Sequence, residues 1–239
     1  MTWSIVARDP GGAFGVAVAS RFFAVGALCP GVRPQLGALS SQALINPLYV
    51  REGLAMLDAG HSASDIVQRL TAADAGRNVR QFHVVDARGR AAAHTGAECV
   101  AWCGHRAGDG YSLAGNMLAG PQVLDETARA YESNMTLSFP ERLIAAMLAG
   151  EAAGGDKRGK QGAALVIHTT EDYPILDLRV DDHAEPLLEL RRLYEVSLER
   201  FQPFMSCLAT RANPVGIIDR AVIDERVARF QESRAKREA

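Results

Sequence analysis

The sequence has no long apolar run, no excess of either charge and few cysteines. No stretch approaches the ~18 apolar residues a membrane-spanning helix needs, and no basic segment followed by an apolar one opens the chain. Lys and Arg number 26 against 28 Asp and Glu, a formal net charge of −2. That balance gives no electrostatic reason to bind nucleic acid or an anionic membrane. Four cysteines in 239 residues (Cys29, Cys99, Cys103, Cys207) are too few and too scattered for a disulfide framework and are expected to be buried thiols. The expected class is a cytoplasmic globular protein with a small-molecule partner, no nucleic acid, no membrane and no cofactor. With 48% apolar residues it can bury one substantial core.

What is there begins at Thr2. It is followed at once by a strand over 3–8, the turn Asp9-Pro10-Gly11-Gly12 and a second strand over 13–20. Removal of an initiator Met before a residue as small as Thr would leave a hydroxyl nucleophile and an α-amine on one residue. An α-amine titrates near ~7.7–8.0, so it can accept a proton at neutral pH. The alternative role for Thr2 is only that of a β-branched first strand residue. On the second strand Phe14, Val16 and Val18 share one face, while the other carries only Ala13, Gly15, Ala17 and Ala19. A face that small suits a strand with another layer pressed against it.

A short strand is expected over 36–43. Asn46-Pro47 then opens a helix with the stripe Val50, Leu54 and Leu57, ending before Gly60, and a second helix starts at Ser62 with Asp65 three residues on. A hairpin over 82–94 turns at Asp86-Ala87-Arg88-Gly89. A short strand near 99–103 leads into a Gly-rich stretch, 107–116. Two helices follow, from Gly120-Pro121 and from Ser138, then a hairpin of 163–169 and 175–181. A long helix from about Pro186, with Leu187, Leu190, Tyr194 and Phe201 on one side, and a charged tail over 221–239 close the chain. Antiparallel hairpins interrupted by helix pairs require two sheets face to face with helices outside. The expected fold is therefore α+β, a four-layer αββα sandwich of two antiparallel sheets. Residues 1–183 would form the sandwich and 184–239 a helical extension packed on it or on a partner subunit. The apolar stripe of the extension predicts a homodimer.

This order, with a strand-initiating Thr2, resembles the Ntn-hydrolase superfamily. The segment 15–21 is similar to the second strand of proteasome β-subunits and their bacterial relatives. The segment 36–43 resembles their Gly-rich segment that donates a backbone N–H to an oxyanion, and 107–116 their Gly-Ser-Gly-Gly segment. The wording is closer still to a family known only as domain of unknown function 1028. The shared segments are Thr2–Pro10, Val18–Phe22, Gly115–Leu118, Gly154–Gly159 and Arg179–His183, and the resemblance covers residues 2 to about 195. It implies the fold but brings no established reaction.

On that resemblance Thr2 would attack an amide or related acyl carbon, its amine taking the proton and returning it to the leaving nitrogen. The nearest match to the relatives' third-strand lysine is Arg33, which can stabilise charge but cannot share a proton at neutral pH. The alternative for Arg33 is a surface residue beside Pro34. Backbone N–H groups around Ser41 would line an oxyanion hole, the alternative being a strand-end hydroxyl. Asn116 would add a side-chain donor, or else occupy a left-handed position beside Gly115. Asp156 would bind the ammonium form of Thr2, or else make turn hydrogen bonds within its loop. Where the relatives place a strand aspartate, this chain has Ala19. The leading reading is an amidohydrolase acting on a small amide or N-acyl compound, and the competing one a metabolite-binding protein on the same scaffold. A weaker third option is a metal site at His94, Cys99, Cys103 and His105. Asp181-Asp182-His183 reads as a cap for the final helix in preference to a cation site.

Overall fold

The computed structural model describes residues 2–238. Its elements are β1 (Thr2–Arg8), β2 (Phe14–Ser20), β3 (Pro30–Arg33), β4 (Gly37–Ala43), α1 (Pro47–Asp58), α2 (Ala63–Ala73), β5 (Arg80–Asp86) and β6 (Ala91–Thr95). They continue with β7 (Gly104–Gly108), β8 (Tyr111–Asn116), α3 (Gln122–Ser133), α4 (Phe139–Ala152), β9 (Gly162–His168) and β10 (Leu176–Val180). Helices α5 (Pro186–Glu199), α6 (Phe201–Met205) and α7 (Arg220–Glu238) complete the chain. It divides into a unit ending at Leu190 and a helical unit from Arg191 onward.

Two antiparallel sheets form the first unit, in the orders β10-β9-β2-β1-β8-β7 and β3-β4-β5-β6. Between them lie Val6, Phe14, Val16, Val32, Ala38 and Val85. On the outer face of the smaller sheet, Tyr49 and Leu57 of α1 and Ile66 and Leu70 of α2 pack on Leu39, Phe82 and Val84. The outer face of the larger sheet takes α4: a Cβ on Gly15 would come within 3.0 Å of Leu143 and Phe139. The small-residue face of β2 is what lets that helix approach. This is the αββα sandwich of two antiparallel sheets that the resemblance implied.

Local signals act as expected. Asn46 caps α1, accepting from the Leu48 N–H, with Pro47 at the first helical position. Ser62 and Asp65 form a reciprocal capping box on α2. Gly89 turns the β5–β6 hairpin at φ 76°. Three elements depart from the sequence reading. Residues 99–103 are not a strand; the Gly-rich stretch after them is instead the β7–β8 hairpin. Its glycines are there for close approach, since a Cβ on Gly115 would lie 2.3 Å from Leu118. Pro30–Arg33 forms a strand the reading missed, because proline and glycine both depress strand propensity. It pairs only with β4, as an edge strand where proline is tolerated. Helix α6 is short enough to leave no periodic signal. Of the stripe expected to join two copies, Leu187 and Leu190 are fully buried within the chain while Phe201 stays 46% exposed.

Candidate active site

Strand β1 runs between β2 and β8, so its first residue is flanked on both sides. Thr2 stands opposite Asn116, and its neighbour Trp3 stands opposite Ala19 and Gly115. The Thr2 hydroxyl donates to Ser20 Oγ at 3.1 Å. Ser20 in turn lines a cleft of about 280 Å³ together with Trp3, Glu151, Asp156, Lys157 and Lys160. Within it Lys160 Nζ bridges Glu151, at 3.0 Å, and Glu185. Cation and carboxylates thus stand beside a small hydroxyl pair.

Behind Thr2, between the sheets, runs a continuous buried polar network. Asn116 Nδ2 and Gln42 Nε2 approach the Thr2 carbonyl at 3.4 and 3.3 Å, and both donate to Gln81 Oε1, at 3.0 and 2.7 Å. Gln81 Nε2 donates to the Gly115 and Gly104 carbonyls at 2.8 and 2.9 Å. Ser4 Oγ donates to Gln42 Oε1 at 2.7 Å and lies 2.8 Å from His83 Nε2, while His83 Nδ1 lies 3.1 Å from Ser112 Oγ.

Fixed backbone acceptors orient the three amides of this network. The Gly104 and Gly115 carbonyls require the Gln81 amide nitrogen to face them, so its oxygen faces Gln42 and Asn116. The Thr2 carbonyl requires the nitrogens of Gln42 and Asn116, which turns the Gln42 oxygen to Ser4. Ser4 has one hydroxyl hydrogen, spent on that oxygen, so His83 donates to Ser4 through Nε2–H, while Nδ1 faces Ser112. Burial favours the neutral ring. Complete burial pushes its pKa down to about 3, with nearby His105 adding to the effect.

The structure brings three of the five expected residues together. Thr2 and Asn116 are cross-strand partners, and Asp156 lines the cleft with Ser20. Asn116 is neither a free donor nor left-handed: its amide holds the Thr2 carbonyl, and the left-handed residue is Met117, at φ 54°. Asp156 accepts from the backbone N–H of Arg21 at 2.9 Å and of Arg158 at 2.8 Å and pairs with the Arg158 guanidinium at 3.2 Å. A bridge to Leu118 completes its role. It ties its loop to the exits of β2 and β8, which flank Thr2.

Two expectations are corrected. The Ser41 N–H is taken by the Cys29 carbonyl at 3.0 Å and its hydroxyl by the Asn46 carbonyl, so it offers no oxyanion donor. Its side chain points to the helix side because its neighbours Ser40 and Gln42 point between the sheets. Arg33 stands at the opposite end of the sandwich, pairing with Asp58 at 2.9 Å. The antiparallel register of β3 on β4 carries it to Gly37, while the Gln42 end of β4 is the one that reaches Thr2.

The His94, Cys99, Cys103 and His105 set is engaged elsewhere. Cys99 Sγ bonds the Arg80 carbonyl, Cys103 Sγ the Cys99 carbonyl, His94 the Arg77 carbonyl and His105 the Thr95 hydroxyl. Burial raises the pKa of both thiols, which keeps them protonated. Among the described residues, no group of three or more His, Cys, Asp or Glu is arranged to hold a metal ion. His83, Gln42, Gln81, Ser4 and Ser20 escaped the sequence reading. The signal was present as polar residues at period two, Ser40-x-Gln42 and Gln81-x-His83, inside strands otherwise fit for a core.

No curated protein matches the chain. The solved structure of a Silicibacter pomeroyi protein of family DUF1028 is similar at 31% identity and a TM-score of 0.85, covering 91% of this chain and 99% of that one. More remote is Anbu (ancestral beta-subunit) from Yersinia bercovieri, at 10% identity and a TM-score of 0.42 over 82% of this chain and 94% of its own. An Anbu mutant from Hyphomicrobium sp. strain MC1 stands at 12% and 0.38, over 83% and 95%. The model of the family of unknown function DUF1028 matches residues 2–190, and on that match the chain belongs to this family.

Proposed function

We propose that the chain is an amide hydrolase with Thr2 as its nucleophile, acting on a small amide or N-acyl compound. One observation carries the reading. The Thr2 hydroxyl sits at 3.1 Å from Ser20, which lines a cleft, and the Thr2 carbonyl is held from behind by two side-chain amides. Met1 lies outside the described residues; its removal would free the Thr2 amine. Thr2 Oγ then bonds to the acyl carbon as its proton passes to that amine. The C–N bond breaks with return of the proton to the leaving nitrogen, and water hydrolyses the ester left on Thr2. In this proposal the protein works in the cytoplasm as a homodimer. Light scattering should then give twice the mass of one chain.

Intact mass of untagged protein, before and after exposure to a small β-lactone, tests the chemistry. The expected result is loss of Met1 and one added lactone, since ring opening on Thr2 Oγ keeps every atom of the probe. Thr2→Ala should fold normally and take up none. A retained Met1, or equal labelling of Thr2→Ala, would overturn the reading. The competing one, a metabolite-binding protein, gains from the Ser41 N–H being spent and from Arg33 standing far from Thr2. Thermal stabilisation by a small metabolite with no labelling or turnover would favour it.

A further inference from the structure

We propose a second ligand site, for a small carboxylate or phosphate anion, at the end of the sandwich away from Thr2. Six residues of β1 separate the two places, about 20 Å at ~3.3 Å per residue. Here a cavity of about 410 Å³ is lined by Arg8, Arg88 and Arg142, with Tyr111, Tyr131 and Met135 forming walls. The two hairpin turns at Gly89 and Gly110 close one side. Both take positive φ, and they approach so closely that a Cβ on Gly89 would lie 3.5 Å from the Gly110 Cα.

The cations of this cavity are short of acceptors. Arg142 is 2% exposed, and such a guanidinium normally spends all five N–H groups. Its Nε has no hydrogen-bond partner. One terminal nitrogen donates to the thioether of Met135 at 2.8 Å, a weak acceptor for a charged donor. The other meets the Tyr131 hydroxyl at 3.0 Å and a single oxygen of Asp9 at 3.2 Å, in place of the bidentate pairing a guanidinium favours. Its charge is otherwise met only by the faces of Tyr131 and Phe139, 4.4 and 5.4 Å from the guanidinium carbon. Among the described residues, Arg8 and Arg88 make no side-chain hydrogen bond or ion pair, although they line the same cavity.

Two acids also line it. Glu132 is engaged by Tyr111 and lies 4.0 Å from Arg106, while Asp109 is within ion-pair reach of none of the three arginines. An anion entering here would replace the thioether on Arg142 with a charged acceptor and would give Arg8 and Arg88 their first partner. The tyrosine walls favour a planar, aromatic body carrying the anion. The site does not depend on any role for Thr2.

Calorimetric titration at low salt with benzoate and with phenyl phosphate tests this. Saturable millimolar or tighter binding of at least one probe is expected, with the relative affinity telling a carboxylate site from a phosphate one. Arg8→Gln and Arg88→Gln should each weaken binding about tenfold, and Arg142→Met should abolish it. Arg51→Gln, on the exposed face of α1, should leave it unchanged. Should Arg142→Met fail to fold, the Arg8 and Arg88 variants decide alone. No saturable binding, or equal weakening by Arg51→Gln and the cavity variants, would overturn the proposal.

Discussion

The layer between the two sheets has an apolar half and a polar half built on the same strands. Toward the Arg8 end, Val6, Phe14, Val16, Val32, Ala38 and Val85 meet in a dry cluster. Toward the Thr2 end, the same inward alternation delivers Ser4, Ser40, Gln42, Gln81 and His83, all no more than 1% exposed. On β5 the change happens within one strand, from Val85 through His83 to Gln81. The apolar half contributes stability, since full burial of each large side chain is worth about 1.5–3 kcal/mol. The polar half contributes little net energy per bond, about 0.5–1.5 kcal/mol, yet leaving one of its groups unpaired costs about 1–3 kcal/mol. Such a network selects one arrangement and excludes neighbouring ones. What it fixes here is the position of the Thr2 carbonyl, held by Gln42 and Asn116.

The sharpest way to break this comparison is to cut one member from each half. Phe14→Ala should cost about 3–5 kcal/mol in denaturant unfolding, the larger effect on stability. The surviving folded protein should label at Thr2 as fast as the parent. Gln81→Leu strips donors from two carbonyls and the shared acceptor from Gln42 and Asn116, for about 2–3 kcal/mol. It should nevertheless slow Thr2 labelling, because the residue's carbonyl loses its fixed partners. If both variants label alike per folded molecule, the two halves differ only in chemistry and not in role.

Acid should separate the halves without any effect on packing volume. His83 titrates near 6.5 in the unfolded chain, and burial holds it near 3 in the folded one. Between those values the unfolded chain binds one proton more, so stability falls as pH falls, by about 1.4 kcal/mol per unit. The contribution is complete above pH 6.5 and lost on the way down to 3. Unfolding at pH 7 and pH 5 should show the parent losing about 2 kcal/mol more than His83→Gln, which keeps a neutral hydrogen-bonding group. Carboxylates shared by both proteins cancel in that difference. Equal losses would mean that His83 accepts a proton in the folded state.

The fold was legible in the sequence wherever punctuation and periodicity were local: the Asn46-Pro47 cap, the Ser62 capping box, the Gly89 turn and the small face of β2. It was illegible where composition contradicted pairing. Residues 104–116 are too rich in glycine and alanine to look like strands, yet their smallness is what lets β8 lie against Trp3 and Leu118. The site divides in the same way. Thr2, Asn116 and Asp156 sit on segments whose wording marks them. Gln42, Gln81 and His83 act through contacts 35–79 residues apart in sequence, which no local pattern encodes. Arg33 was misplaced because a match of strand number ignored register.

Arg33 therefore supplies the smallest effect and a clean control. Its partner Asp58 lies at the end of α1, and both side chains are more than a third exposed, at 34% and 44%. Solvent and salt screen such a pair, so Arg33→Ala should change stability by about 1 kcal/mol or less. The Thr2 labelling rate should not move, and raising the ionic strength should erase most of the stability difference. A cation that set the proton affinity of the Thr2 amine would behave oppositely, altering the pH profile of labelling while leaving unfolding almost untouched. Measuring both quantities on this one variant tells the ends of the sandwich apart. A shifted labelling profile would instead show that the Arg33 charge reaches Thr2 across the length of the sandwich.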